Sequence, residues 1–178
     1  TAGSTKSDRA ETEVATTPGG WRPAEAGSEA GEIDVGDDGT LRSDRPLTAD
    51  EIYNVTSLAP DPSPEELRTS GTDYPADVRE HYTQLPSDVP DRVPEATGEL
   101  LADANADDPY TASVTIEEFL RTNKGYSLDV QRPDGDVADA FLFEMDAGYC
   151  TYFATTMVTM LRSQGVPSRL AVGYNTGQ

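Results

Sequence analysis

The amino-acid sequence predicts an α+β fold in which a run of helices leads into a strand, and three observations support this. Apolar residues recur at three- and four-residue steps in the stretches around 94–105, 108–122 and 151–164, which is the spacing of one helix face. "RLAVGY" at 169–174 instead places Leu170, Val172 and Tyr174 at two-residue steps, the period of a strand. Gly, Pro, Asn and Asp separate these stretches and supply turns.

A length of 178 residues holds one ordinary domain with extras, since domains run to roughly 100–200 residues. The balance of 13 Lys and Arg against 33 Asp and Glu gives a net charge of −20, which repels nucleic acid and anionic lipid alike. Only Lys6 and Lys124 are lysines, and the acid excess runs through the whole sequence. This pattern suits a halophilic protein, because molar salt shortens the screening length to about 3 Å and relieves self-repulsion. One cysteine forbids an internal disulfide, and no apolar run approaches the roughly 18 residues of a membrane span. The chain begins at Thr1 without a signal-peptide pattern, so it is expected to be a piece of a longer protein.

Residues 1–36 show neither apolar period and read as an acidic flexible linker. Residues 37–58 read as a short β-hairpin, possible end of a preceding β domain, with a turn at Asp38-Gly39 and strands at 40–42 and 51–57. Asn54-Val55-Thr56 is also a glycosylation triplet of a kind that arises easily by chance. The remainder, 59–178, reads as one domain. Ser63 with Glu66 three positions on makes a capping box for one or two helical turns ending near Gly71. A second short helix spans 76–82, entered after Pro75. Pro94 starts a helix to Asn105, with Ala96, Leu100, Leu101 and Ala104 on one side. Asp108-Pro109 opens another to about Thr122, with Ile116, Phe119 and Leu120 as its stripe. "YSLDV" reads as a strand, "RPDGD" as a turn, and "DVADAFLFEMDAGY" as an irregular approach to Cys150. Cys150 then opens a helix to Gln164, in which Phe153, Met157, Met160 and Leu161 have the spacing of a buried stripe. Gly165 is its left-handed cap and Pro167 prevents continuation.

A thiol at the first position of a helix faces free backbone N–H groups and the positive end of the helix dipole. Both favour its ionised form and could hold the oxygen of a tetrahedral intermediate. Gly148 permits close backbone approach, and Ala154 is expected to keep the helix tight against its neighbour. The competing reading is a small core residue, which is how free cysteine commonly behaves.

Context favours the nucleophile. The stretch "GYCTYFATTMVTMLRSQGVPSRLAVGY" resembles the central motif of the transglutaminase-like superfamily at Gly148, Cys150, Phe153, Ala154, Arg162, Gly165, Val166, Pro167, Arg169, Gly173 and Tyr174. "YTQLP" at 82–86, "FLRTNKGYSLDV" at 119–130 and "DAFLFE" at 139–144 are similar to the approach to that core in membrane-anchored prokaryotic members, the haloarchaeal type included. The resemblance implies a papain-like core, of which this chain holds the N-terminal helical part and the first core strand. It also implies an extracytoplasmic domain at the outer face of the cell membrane, attached through segments outside this chain and acting on a protein or peptide.

In this family pattern an imidazole and a carboxylate follow the Gly-Tyr strand, so the truncated chain carries only Cys150 of the catalytic set and is expected to be inactive alone. His81 lies upstream and reads as a solvated surface residue. Arg162 and Arg169 read as clamps on carboxylates or carbonyls. Tyr149 either lines the acyl pocket or packs. No cofactor is implied. One Cys and one His do not make a zinc site, and no loop has calcium-ligand spacing. The function expected of the intact protein is acyl transfer on amides through a Cys150 thioester, ending in transfer or hydrolysis. The rival is a noncatalytic cell-envelope binding or assembly module that keeps the fold, its strand edge at 169–174 pairing with another chain.

Overall fold

The computed structural model describes residues 25–27, 33–35, 41–46, 54–56 and 61–172. The chain divides into two units, 1–62 and 63–178.

The first unit contributes four three-residue strands, β1 (Glu25–Gly27), β2 (Ile33–Val35), β3 (Leu41–Ser43) and β4 (Asn54–Thr56). They form two antiparallel pairs, β1 with β4 and β2 with β3. The hairpin expected between the strands of 37–58 is therefore replaced. Each of those strands takes its partner from the stretch read as a linker, where segments of three residues are too short to display a period. The expected turn at Asp38-Gly39 lies outside the described residues.

The second unit is mostly helical. Its elements are α1 (Pro64–Thr69), α2 (Ala76–Tyr82), α3 (Arg92–Asp103), α4 (Pro109–Asn123), β5 (Gly125–Tyr126), α5 (Val137–Phe143), β6 (Ala147–Gly148) and α6 (Cys150–Ser163). Together with the short strands, they make the molecule α+β. α1 starts with the full capping box, the Ser63 N–H donating to Glu66 Oε2 at 2.8 Å while Glu66 N–H donates back to Ser63 Oγ. α3 begins two residues before Pro94, which is harmless because first-turn N–H groups have no intrahelical acceptor. Beyond its C-cap Ala104 the chain turns at Asn105, φ 52°, with Ala106 N–H donating to Leu101 O at 2.9 Å. α4 is capped by Asp108, whose side chain accepts from Thr111 N–H and Oγ1 at 2.9 and 2.6 Å. α6 closes as expected. Gly165 has φ 75°, its N–H donates to Arg162 O, and Val166 N–H donates to Leu161 O.

α5 is the main departure from the expected order of elements, since its segment was read as irregular. Asp136 caps it by accepting from Asp139 N–H at 2.8 Å, and Ala138, Ala140 and Phe141 are buried. Seven residues with both faces occupied give no amphipathic period to read. α6 packs against α3, α4 and α5, and the core between them contains Leu101, Ile116, Leu120, Phe141, Tyr152, Met160 and Leu161. Arg92 ties α3 to α5, its Nε and Nη2 donating to the two carboxylate oxygens of Asp139 and Nη2 also to Glu144 Oε1 at 3.0 Å.

Two expected strands are shortened or absent. "YSLDV" forms strand only at Tyr126, because its parallel partner β6 is two residues long, and Leu128 is exposed. Residues 169–172 have no strand hydrogen bonds, and Val172 is 90% exposed. An apolar alternation becomes a strand only beside a partner, and none flanks this segment among the described residues. Positions 173–174 lie outside them.

Candidate active site

Cys150 is the first residue of α6 and is exposed. The N-cap is Tyr149, in extended conformation at φ −108° and ψ 178°, and its side chain makes no capping bond. The first turn of α6 thus keeps donors aimed outward beside the thiol. Tyr149 packs edge-on against Tyr152, with centroids 4.8 Å apart, and is not among the residues that line the adjacent groove. This decides in favour of packing for Tyr149.

The approach to Cys150 is held by β5. The parallel register pairs Gly125 with Ala147 and Tyr126 with Gly148, while Gly125 N–H donates to Asp146 O at 2.8 Å and Ser127 N–H to Gly148 O at 2.9 Å. Gly148 is buried where a side chain would not fit.

Cys150 opens onto a groove of about 630 Å³ between α4, β5 and α6. Leu120, Tyr126, Phe153, Ala154 and Met157 give it an apolar floor, and Glu117, Arg121 and Lys124 stand along it. Arg121 Nη1 donates to Glu117 Oε1 at 3.0 Å one turn away. Lys124 Nζ donates to Leu142 O and Met145 O at 2.9 and 2.8 Å and lies 5.7 Å from the centroid of Phe141. Burial draws the Lys124 ammonium below the usual lysine range, and the charge of Asp146 opposes this.

Of the stripe read as core, Met160 and Leu161 are buried, whereas Phe153 and Met157 are half-buried groove residues. Ala154, expected to pack against a neighbouring helix, lines the groove as well. Glu117, Arg121, Lys124 and Tyr126 were not singled out from sequence, and only the end of the α4 stripe beside a Gly-Tyr pair hinted at them. His81 lies on α2 with Nδ1 2.8 Å from Asp77 O of its own helix, exposed and not among the groove residues. Arg162 acts as the expected clamp on carbonyls, with Nε donating to Ser168 O at 2.8 Å and Nη1 to Gln84 O at 2.9 Å. Arg169 sits over the Tyr82 ring at 5.9 Å.

Comparison with known proteins agrees with this geometry. Residues 99–178 match the transglutaminase-like superfamily core. A Bacillus subtilis protein described as uncharacterized protein YebA is 33% identical over 135 residues, covering 71% of this chain and 18% of that protein. A protein-glutamine gamma-glutamyltransferase of Pseudomonas aeruginosa is 28% identical over 138 residues, covering 78% of this chain and 20% of the relative. The chain thus spans about a fifth of the length of these curated relatives. The crystal structure of the periplasmic domain of TgpA from Pseudomonas aeruginosa superposes with a TM-score of 0.64 at 25% identity, over 87% of this chain and 50% of that one. Residues 99–178 of this chain belong to the transglutaminase-like superfamily.

Proposed function

We propose that Cys150 is the nucleophile of a thiol-dependent acyl transfer on protein amides, carried out by the intact protein. The observation that carries this reading is an exposed thiol at the uncapped start of α6, opening onto an apolar-floored groove. The groove would receive the chain bearing the amide. Sulfur attacks the amide carbonyl, and the first-turn N–H groups of α6 hold the oxygen that becomes negative. The amine leaves with a proton and a thioester remains, which an incoming amine or water opens to release the thiol. The imidazole that the resemblance places after the Gly-Tyr stretch would move these protons, and the carboxylate placed there would orient its ring. The similar protein-glutamine gamma-glutamyltransferase favours a glutamine side chain as donor.

The similar periplasmic domain supports a place outside the cytoplasmic membrane, with attachment through other segments. Among the described residues no helix is long and apolar enough to cross a membrane.

The test is incorporation of a fluorescent primary amine into a glutamine-rich protein by the full-length protein, with ammonia release and peptide cleavage measured in parallel. C150S should abolish all three signals while leaving the thermal unfolding midpoint within about 2 °C, since the thiol is exposed. An active C150S protein would overturn the assignment. A full-length wild type inactive in all three assays would favour the noncatalytic envelope module.

A further inference from the structure

We propose that Lys124 is a positioning residue for Cys150, its ammonium clamping the segment that delivers the cysteine to the mouth of the groove. The inference rests on the reading of Cys150 as nucleophile and adds a device that holds it.

Lys124 is the C-cap of α4, where its N–H donates to Leu120 O at 3.0 Å. Its side chain reaches across to Leu142 O in α5 and to Met145 O in the turn after it, 18 and 21 residues along the chain. Asp146 O then accepts from Gly125 N–H, and Gly148 O from Ser127 N–H. Residues 124–127 therefore grip residues 142–148 at four carbonyls in succession, and α6 starts two residues beyond the last. The upstream pair of these carbonyls is held by a side chain, so it is the part of the grip a substitution can remove. Phe141 lies beneath the ammonium and also meets Phe153 edge-on, with centroids 4.9 Å apart, so the same contact reaches the groove floor. A lysine that only closed the end of α5 would affect stability. A clamp on the delivery segment also affects how the thiol at 150 behaves, because loosening this segment lets the first turn of α6 fray, and with it the N–H donors beside the thiol.

The experiment measures alkylation of Cys150 by iodoacetamide at pH 7 in the full-length protein, resolved by peptide mass spectrometry, well below each variant's unfolding transition. The wild type is expected to react faster than glutathione. K124M keeps the stem and loses the donors, and its rate should fall about tenfold toward that of a free thiol. K124R keeps charge and donors and should stay within about twofold of wild type. Unfolding midpoints are recorded alongside. If K124M fails to fold, acetylation of the folded K6R protein serves instead, since Lys124 is then the one lysine of residues 1–178. Slower alkylation of the acetylated fraction supports the clamp, and an unchanged rate overturns it. K124M at the wild-type rate, or K124R as slow as K124M, also overturns it. A wild type no faster than glutathione would instead overturn the reading of Cys150 itself.

Discussion

A Cβ added at Gly148 would lie 2.9 Å from Cε2 of Phe141 and 2.9 Å from Cβ of Tyr152, closer than carbon atoms normally approach. Tyr152 Cβ is fixed to the backbone of α6 and cannot swing aside, and Phe141 is fully buried. G148A is therefore expected to destabilise the fold by about 1–3 kcal/mol, the usual cost of an overpacked core, measurable by urea unfolding. A change below 0.5 kcal/mol would show that the helices shift to admit the methyl group. The place of Cys150 at a helix start was legible from sequence because the preceding glycine and the following apolar stripe are both local. The roles of Phe153 and Met157 were only half legible. Their spacing reveals the inward face of α6, but whether a neighbouring element covers them depends on where α4 and β5 lie. Lys124 was illegible, because its partners are carbonyls far along the chain and no side-chain pattern marks a carbonyl.

Helix caps show what a sequence states well and how pH acts on it. The Asp108 carboxyl lies below its ordinary value, first through the bond from the Thr111 hydroxyl and then through that from its N–H. Glu66 is likewise lowered, by the Ser63 backbone N–H and then its hydroxyl. A carboxylate with a depressed folded pKa stabilises fully above its unfolded value, about 3.9 for Asp and 4.3 for Glu, and loses this as pH falls through the folded value. Unfolding midpoints measured from pH 6 down to about pH 2 should therefore fall less steeply in the D108N/E66Q double variant than in wild type. Equal slopes would mean the caps carry no pH-linked stability. α1 and α4 were readable from their local caps, α6 from its apolar stripe, and α2 from the prolines at 75 and 86 that bracket it. α5 was not, being short and packed on both faces, although Asp136 stood at its start as a cap. The pairing of β1 with β4 was hidden because the partners lie almost thirty residues apart, and that of β2 with β3 because three-residue strands are too short to show a period.

Over the whole molecule, a net charge of −20 acts as a self-repulsion that the compact state concentrates more than the unfolded chain does. Raising KCl from about 0.1 M to 2 M shortens the screening length from about 10 Å to under 3 Å, and the unfolding midpoint should climb with it. A midpoint that stays level or drops would show that this charge does not govern stability. The fold class and the order of the helices other than α5 were legible from apolar period and local stop signals. The missing strand at 169–172 shows the limit, since alternation names a candidate and only a neighbour makes it a strand. Lys124 has one more consequence. A protein that passes acyl groups to amines risks labelling itself, and within this chain only Lys6 and Lys124 carry side-chain amines. Lys124 lines the groove of Cys150 and donates from Nζ to two carbonyls, so under the proposed chemistry it would be held back from becoming an unwanted acceptor. The contact proposed to steady Cys150 would thereby also guard the chain against autoacylation.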